Sequence, residues 1–239
     1  MKKRFAAFVS TVLAAVLCAC SAAPKDVLPN KAAQPTEAPT QQAQTTQAAP
    51  TEQPTPEPDL VQQLLEEMTL EQKVGQLFLV RPDSLDLSQT QDQINDAKAD
   101  GVTELTDAMR QTLAEYPVGG VVIFGKNLES PQQITQFLDD LQQASDTPPY
   151  TAIDEEGGLV ARLANNAAFD LPQYESAAAV GTSGNPEDAR AMGRTIGGYL
   201  KEYGFNLDFA PVADVNTNPD NPVIGTRAFS SEPQTAADL

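Results

Sequence analysis

Residues 119–125 read Gly-Gly-Val-Val-Ile-Phe-Gly, a continuous apolar run without polar alternation. A strand of that kind is covered on both faces, which points to a parallel sheet with helices packed against it. The surrounding sequence supplies those helices. Leu60, Leu64, Leu65 and Met68 recur at helical spacing, and Thr69-Leu70-Glu71-Gln72 matches a capping box that opens a second short helix. Leu77–Val80 follows as a buried-strand run, and 82–100 reads as a polar loop with irregular helix. Glu104–Tyr116 is helical, with Leu105, Met109 and Leu113 near one face. Ser130 and Pro131 form an N-cap and N1 pair for a helix carrying Ile134, Phe137, Leu138 and Leu141. Tyr150–Ile153 is the third strand; Asn185-Pro186 opens a long helix that Gly204 stops; Phe205–Pro211 is the fourth strand.

Strands alternating with helices give an α/β fold. A (β/α)8 barrel takes about 250 residues for eight strands. Residues 59–239 spend about 180 on four and stop two turns into another helix. Periodicity alone leaves two architectures open: about the first half of a barrel, or a small open sheet of flavodoxin type.

In either case ligands bind beyond the carboxyl ends of the strands, so acids placed there are candidate site residues. Asp154-Glu155-Glu156-Gly157-Gly158 follows the third strand, and Arg162 lies close enough to pair with one of the acids. A carboxylate beside a guanidinium chelates vicinal hydroxyls, one accepting and the other donating. The same spacing also fits a solvated acidic turn with a surface ion pair. Beyond the fourth strand, Asp214 precedes a loop containing Asn216, Asn218 and Asn221 and then Ile224–Phe229. There Arg227 either reaches into the site or clamps the loop by pairing with Asp214. The Gly119-Gly120 and Gly197-Gly198 pairs lack the lysine or the spacing of a phosphate loop.

The amino terminus carries an address. Lys2, Lys3 and Arg4 precede an apolar stretch of about 13 residues, shorter than the roughly 20 that span a membrane. Leu17-Cys18-Ala19-Cys20 resembles a bacterial lipobox, so residues 1–19 read as a lipoprotein signal peptide and Cys20 as the lipidated residue. Residues 20–58, rich in Pro, Thr, Gln and Ala, read as a disordered linker with a contour of about 100 Å at roughly 3 Å per residue. The expected location is the outer face of the bacterial membrane, reached through the lipid anchor only.

Of the formal net charge of -18, the leader contributes three positive charges and the linker two net negative ones, leaving -19 on residues 59–239. Such a body repels polyanions, and nucleic acid is excluded as a partner. The chain has no histidine, and its two cysteines, Cys18 and Cys20, both fall in the first twenty residues. No metal or cofactor is expected.

Four blocks in order carry a family resemblance: Met68–Leu77, Gly119–Phe124, Ile153–Leu163, and Asn206–Asp214 with Asn221–Phe229. Together they resemble the N-terminal barrel domain of glycoside hydrolase family 3, especially its bacterial β-N-acetylhexosaminidase branch. The resemblance implies a barrel over 59–239 and hydrolysis of terminal β-linked sugars with retention, N-acetyl-β-glucosaminides foremost, in cell-wall or glycan turnover. It also implies that Asp154, Arg162 and Arg227 hold the hydroxyls of the carbohydrate substrate. Leu159 stands where the family often has arginine, and Ala228 where it has serine; neither is a sugar-holding position. The branch continues with a Lys-His-Phe-Pro-Gly-His-Gly-like segment, a histidine acid/base and an aspartate nucleophile, expected beyond residue 239. These 239 residues are therefore expected to hold substrate without catalysing by themselves. Rival expectations are a β-glucosidase or β-xylosidase of the same family, and a non-catalytic sugar-binding lipoprotein.

Overall fold

The computed structural model describes residues 59–239, so the signal peptide, the linker and Cys20 lie outside the described residues. Two helices lead in: α1 (Leu60–Glu67), capped by Asp59, and α2 (Leu70–Gly75), which begins with the expected Thr69/Gln72 capping box. Strand β1 (Leu79–Val80), the short helix α3 (Gln91–Asn95) and α4 (Asp107–Glu115) lead to β2 (Gly120–Ile123). Then follow α5 (Pro131–Gln143), β3 (Tyr150–Ile153), β4 (Glu155–Gly157), β5 (Val160–Ala161), α6 (Ala177–Gly181), α7 (Pro186–Tyr203), β6 (Leu207–Asp208) and α8 (Pro233–Asp238). Among the described residues, no helix is long and apolar enough to cross a membrane.

The main sheet has the order β1-β2-β3-β6, and every pairing in it is parallel. Setting aside the β4–β5 hairpin, which forms a separate sheet, each strand lies beside the next in the chain. A flavodoxin-type sheet reverses direction at its switch point, giving an order such as 2-1-3-4-5. Steady progression, with crossovers of one hand, keeps the helices on one face and is the winding of a barrel. The sheet is an open arc, with β1 and β6 at its edges.

The core follows from the apolar periodicities. Val121, Ile123 and Ile153 meet Met109 and Leu113 of α4, Ile134, Phe137, Leu138 and Leu141 of α5, and Met192, Ile196 and Leu200 of α7. Ser130 caps α5, Asn185 caps α7, and Gly204 closes α7 in the left-handed conformation.

Three expectations need correction. Leu77–Val80 is not a buried strand: Leu77 and Phe78 belong to a turn closed by bonds back to Val74 and Gly75, and they are 79% and 55% exposed. As an edge strand, β1 has a neighbour on one side only among the described residues. Second, the apolar stripe of α1 is largely uncovered: Leu60, Leu64 and Leu65 are exposed, and only Met68, its C-cap, is buried. Third, the fourth strand is only Leu207–Asp208, because the Asn206 side chain takes over at its start by accepting from Thr151 N at 2.8 Å.

Leu60, Leu64, Leu65, Val74, Leu77 and Phe78 are thus exposed on the elements that precede an open sheet edge, a combination that favours self-association. The 239-residue chain expressed by itself is expected to bind an apolar dye and to aggregate. A monodisperse monomer with a cooperative thermal transition would contradict this.

A buried polar cluster fixes the segment that follows β1. Lys126 Nζ lies 3.2 Å from Asp83 Oδ1, and both side chains are almost fully buried. Asp83 also accepts from Val102 N and from Asn127 Nδ2, and Asn127 Oδ1 accepts from Phe124 N. Segment 82–102 is thereby tied to the end of β2, with Phe124 held at that end.

Candidate substrate-holding site

Strand β3 ends at Ile153, so Asp154 is the first residue beyond the carboxyl end of the sheet. The chain then enters a two-stranded antiparallel hairpin, β4–β5, that the sequence reading took for a turn. Gly157 (φ 83°) and Gly158 (φ 69°) make its bend in a region that side-chain-bearing residues avoid. A Cβ on Gly157 would also overlap the methyl group of Met192. The hairpin returns Arg162 to Asp154, with Arg162 Nη2 donating to Asp154 Oδ2 at 3.0 Å. This is the pairing expected from spacing. The guanidinium lies near the Phe124 ring at 5.8 Å from its centre, and Arg81 lies over the same ring at 4.5 Å.

The middle acid holds the hairpin in place. Glu155 is fully buried. Its Oε2 accepts from Leu163 N at 2.9 Å, while its Oε1 accepts from Ala164 N at 2.9 Å and from Tyr199 Oη of α7 at 2.8 Å. Burial, and next the nearby Glu155 charge, push the Tyr199 hydroxyl well above its ordinary range, so it stays a donor. Sequence reasoning missed this role: three consecutive acids look solvated, and the two amides and the phenol that satisfy Glu155 come together only in the fold.

Glu156 is also buried, and Arg227 meets it bidentately: Nε donates to Oε2 at 2.7 Å and Nη2 to Oε1 at 2.6 Å. Arg227 Nη1 donates to Val223 O at 3.1 Å, so the arginine also closes its own loop. The carboxylate partner is Glu156; the alternative pairing with Asp214 does not form, and Asp214 is exposed. The Glu156 hydrogen bonds raise the Arg227 pKa further above its already high value. The fold therefore brings Arg227 to the same hairpin as Asp154 and Arg162, through neighbouring acids.

Unused valences show what the arrangement can do. Among the described residues, Arg227 commits three of its five guanidinium donors and Arg162 one, and Asp154 Oδ1 accepts from no group. Arg162 Nε is buried without a partner among the described residues. Acceptor and donors thus stand side by side at the strand ends, a pairing suited to neighbouring hydroxyls.

A second acid missed from sequence is Asp208, the last residue of β6. Burial, with Glu155, Asp154 and Glu156 adding negative charge, pushes its carboxyl up to about 6, although a hydrogen bond from Glu155 N opposes the shift. A carboxyl raised from 3.8 binds its proton more tightly in the folded state. Its stabilising contribution is therefore full below the unfolded value and falls as pH rises toward 6. Asp208→Asn is expected to match wild type near pH 3.5 and to be more stable at pH 7, by about 1 kcal/mol after solvent screening is allowed for. Melting temperatures across that range check this; equal offsets at both ends would refute it.

Comparison with known proteins agrees with the winding of the sheet. The profile described as the glycosyl hydrolase family 3 N terminal domain matches residues 69–239. A β-hexosaminidase A from Pseudoalteromonas piscicida is 34% identical over 143 residues, which is 58% of this chain and 24% of the relative. A β-hexosaminidase from Nitrosomonas eutropha is 34% identical over 141 residues, 57% of this chain and 40% of the relative. The solved family 3 β-N-acetylglucosaminidase from a Paenibacillus species superposes with a TM-score of 0.59 at 33% identity, covering 72% of this chain and 29% of that one. NagZ from Neisseria gonorrhoeae, solved with N-trifluoroacetyl-D-glucosamine, superposes with a TM-score of 0.51 at 25% identity, covering 57% and 41%. The matches thus span less than half the length of these relatives. The arc of β1, β2, β3 and β6 is part of a TIM-type barrel, and the chain belongs to glycoside hydrolase family 3 through its N-terminal domain.

Proposed function

We propose that this chain forms the substrate-holding side of a retaining glycoside hydrolase that removes terminal β-linked sugars, most readily N-acetyl-β-glucosaminides. The observation that carries the reading is the Asp154–Arg162 pair at the carboxyl end of β3, with a free acceptor on one residue and free donors on the other. Asp154 Oδ1 accepts one hydroxyl proton while Arg162 donates to a neighbouring hydroxyl oxygen. Arg227, anchored on Glu156, presents its remaining N–H groups from the adjacent loop. The N-acetylglucosaminidase names of the relatives, and the N-acyl glucosamine bound to NagZ, support this sugar class. With no histidine in the chain, these residues contribute holding and orientation rather than proton transfer by the family's acid/base.

The test is turnover of aryl N-acetyl-β-glucosaminide, β-glucoside and β-xyloside by the complete encoded polypeptide. Preference for the first supports the reading. Preference for either other sugar overturns the sugar class, and binding without turnover of any of them overturns the hydrolase reading.

Export and tethering belong to the same proposal. Cys20 in Leu17-Cys18-Ala19-Cys20, after a basic and apolar leader, is the lipid acceptor that holds the enzyme at the outer face of the membrane. Cys20→Ala is expected to move the protein from the membrane fraction to the soluble exported fraction. Unchanged fractionation would refute the assignment.

A further inference from the structure

Asp208 and Ile153 are register partners at the last rung of the β3–β6 ladder. Beyond that rung, Phe209 N still donates to Ile153 O at 2.9 Å, but the next amide on the β3 side, Glu155 N, donates to the Asp208 side chain: Oδ1, at 2.9 Å. The peptide so held joins Asp154 to Glu155. It is the point where the chain leaves the sheet for the hairpin that carries Arg162. Asp208 also lines, with Glu155, Glu156, Met192, Ile196 and Phe229, a cavity of about 270 Å³ between that hairpin, α7 and the end of β6.

We propose that Asp208 is a positioning residue of the substrate-holding site: by capping the β3 ladder through Glu155 N–H, it sets the direction in which Asp154 meets its ligand. The proposal rests on the sugar-holding reading of Asp154. Asp208 works through the backbone and need not touch the sugar.

The titratable groups facing Asp208 are Asp154 at the end of β3, Glu155 and Glu156 on β4, and Tyr199 on α7. Arg162 and Arg227 partner Asp154 and Glu156, and Glu155 is satisfied by amides and a phenol, so Asp208 is the acid of this group that has no cationic or hydroxyl partner among the described residues. What the position requires is an acceptor aimed at one amide. Asparagine also supplies that acceptor; alanine does not.

The experiment uses the complete encoded polypeptide, with isotope-labelled glutamate, as wild type, Asp208→Asn and Asp208→Ala. One readout is the dissociation constant for N-acetylglucosamine by calorimetry; the other is the Glu155 amide proton by NMR across about pH 4.5 to 7.5. The expected results are a wild-type Glu155 amide that titrates near pH 6, a flat response in Asp208→Asn, and sugar affinity kept within about twofold by Asn and weakened about tenfold or more by Ala. An amide that titrates unchanged in Asp208→Asn overturns the proposal, as does an alanine variant binding as tightly as wild type. If Asp208→Ala does not fold, an asparagine variant that loses about tenfold in affinity overturns it. A wild type that binds no sugar while its Glu155 amide still follows Asp208 refutes the sugar-holding reading separately, and with it any role of Asp208 in that site.

Discussion

Glu155→Ala is expected to destabilise the complete encoded polypeptide by about 3 to 5 kcal/mol, read as a lower denaturant midpoint at unchanged slope. The carboxylate is fully buried, and three donors end on it: Leu163 N, Ala164 N and Tyr199 Oη. Alanine leaves all three without a partner in a space closed to solvent, and each stranded donor costs about 1 to 3 kcal/mol, part of which relaxation recovers. Glu155→Gln restores one acceptor but aims an amide group at a donor, so an intermediate loss is expected. The damage should also reach the site, because Arg162 sits directly before Leu163, one of the amides that Glu155 holds. Sugar binding by the glutamine variant should therefore weaken even where the protein stays folded. A loss under about 1 kcal/mol for alanine would mean that water reaches these donors, and the anchoring role would have to be given up.

How much of this could be read from sequence depends on where each interaction closes. The Gly119–Gly125 run indicated a doubly covered strand, and Gly120–Ile123 became the second strand of a parallel sheet flanked by helices. Helix ends were legible wherever the signal is local, as at Thr69 and Gln72, Ser130, Asn185 and Gly204. The capping box of Thr90 and Gln93 is equally local and was overlooked because the surrounding residues are polar. Leu77 and Phe78 misled because burial is not encoded in hydrophobicity alone; it depends on which neighbour a strand has, and β1 is at an edge.

Within the site, the Asp154–Arg162 pair was legible because a glycine-turned hairpin brings together residues only eight apart. The Glu156–Arg227 pair spans 71 residues, so spacing carried no information about it and the nearer Asp214 looked as plausible a partner. Asp208 was passed over for a related reason. With the last strand drawn to Pro211, Asp214 became the first acid beyond it, whereas the ladder stops at Asp208 and makes that residue the cap.

Asp154→Asn should lower kcat/KM for an aryl N-acetyl-β-glucosaminide by about tenfold to a hundredfold. The substitution keeps the shape of the side chain and removes the charge that orients a hydroxyl proton. Hydrogen bonds to a charged group contribute about 1.5 to 3 kcal/mol, and each 1.4 kcal/mol is roughly tenfold in rate. Contacts to ring hydroxyls strengthen as the sugar flattens toward an oxocarbenium-like transition state, so part of the loss should fall on kcat rather than all of it on KM. Stability should change little. The Asp154–Arg162 pair is partly exposed, and ion pairs in that setting contribute about 0 to 1 kcal/mol. That contrast separates a sugar-holding acid from a structural one: Glu155→Ala lowers stability and activity together, while Asp154→Asn lowers activity at nearly constant melting temperature. Arg162→Ala should follow Asp154→Asn, because it removes the neighbouring donors and leaves the acid without its partner. If Asp154→Asn keeps near wild-type kcat/KM, or loses activity only in step with its melting temperature, the pair is a solvated turn contact and the hydroxyl-holding role must be abandoned.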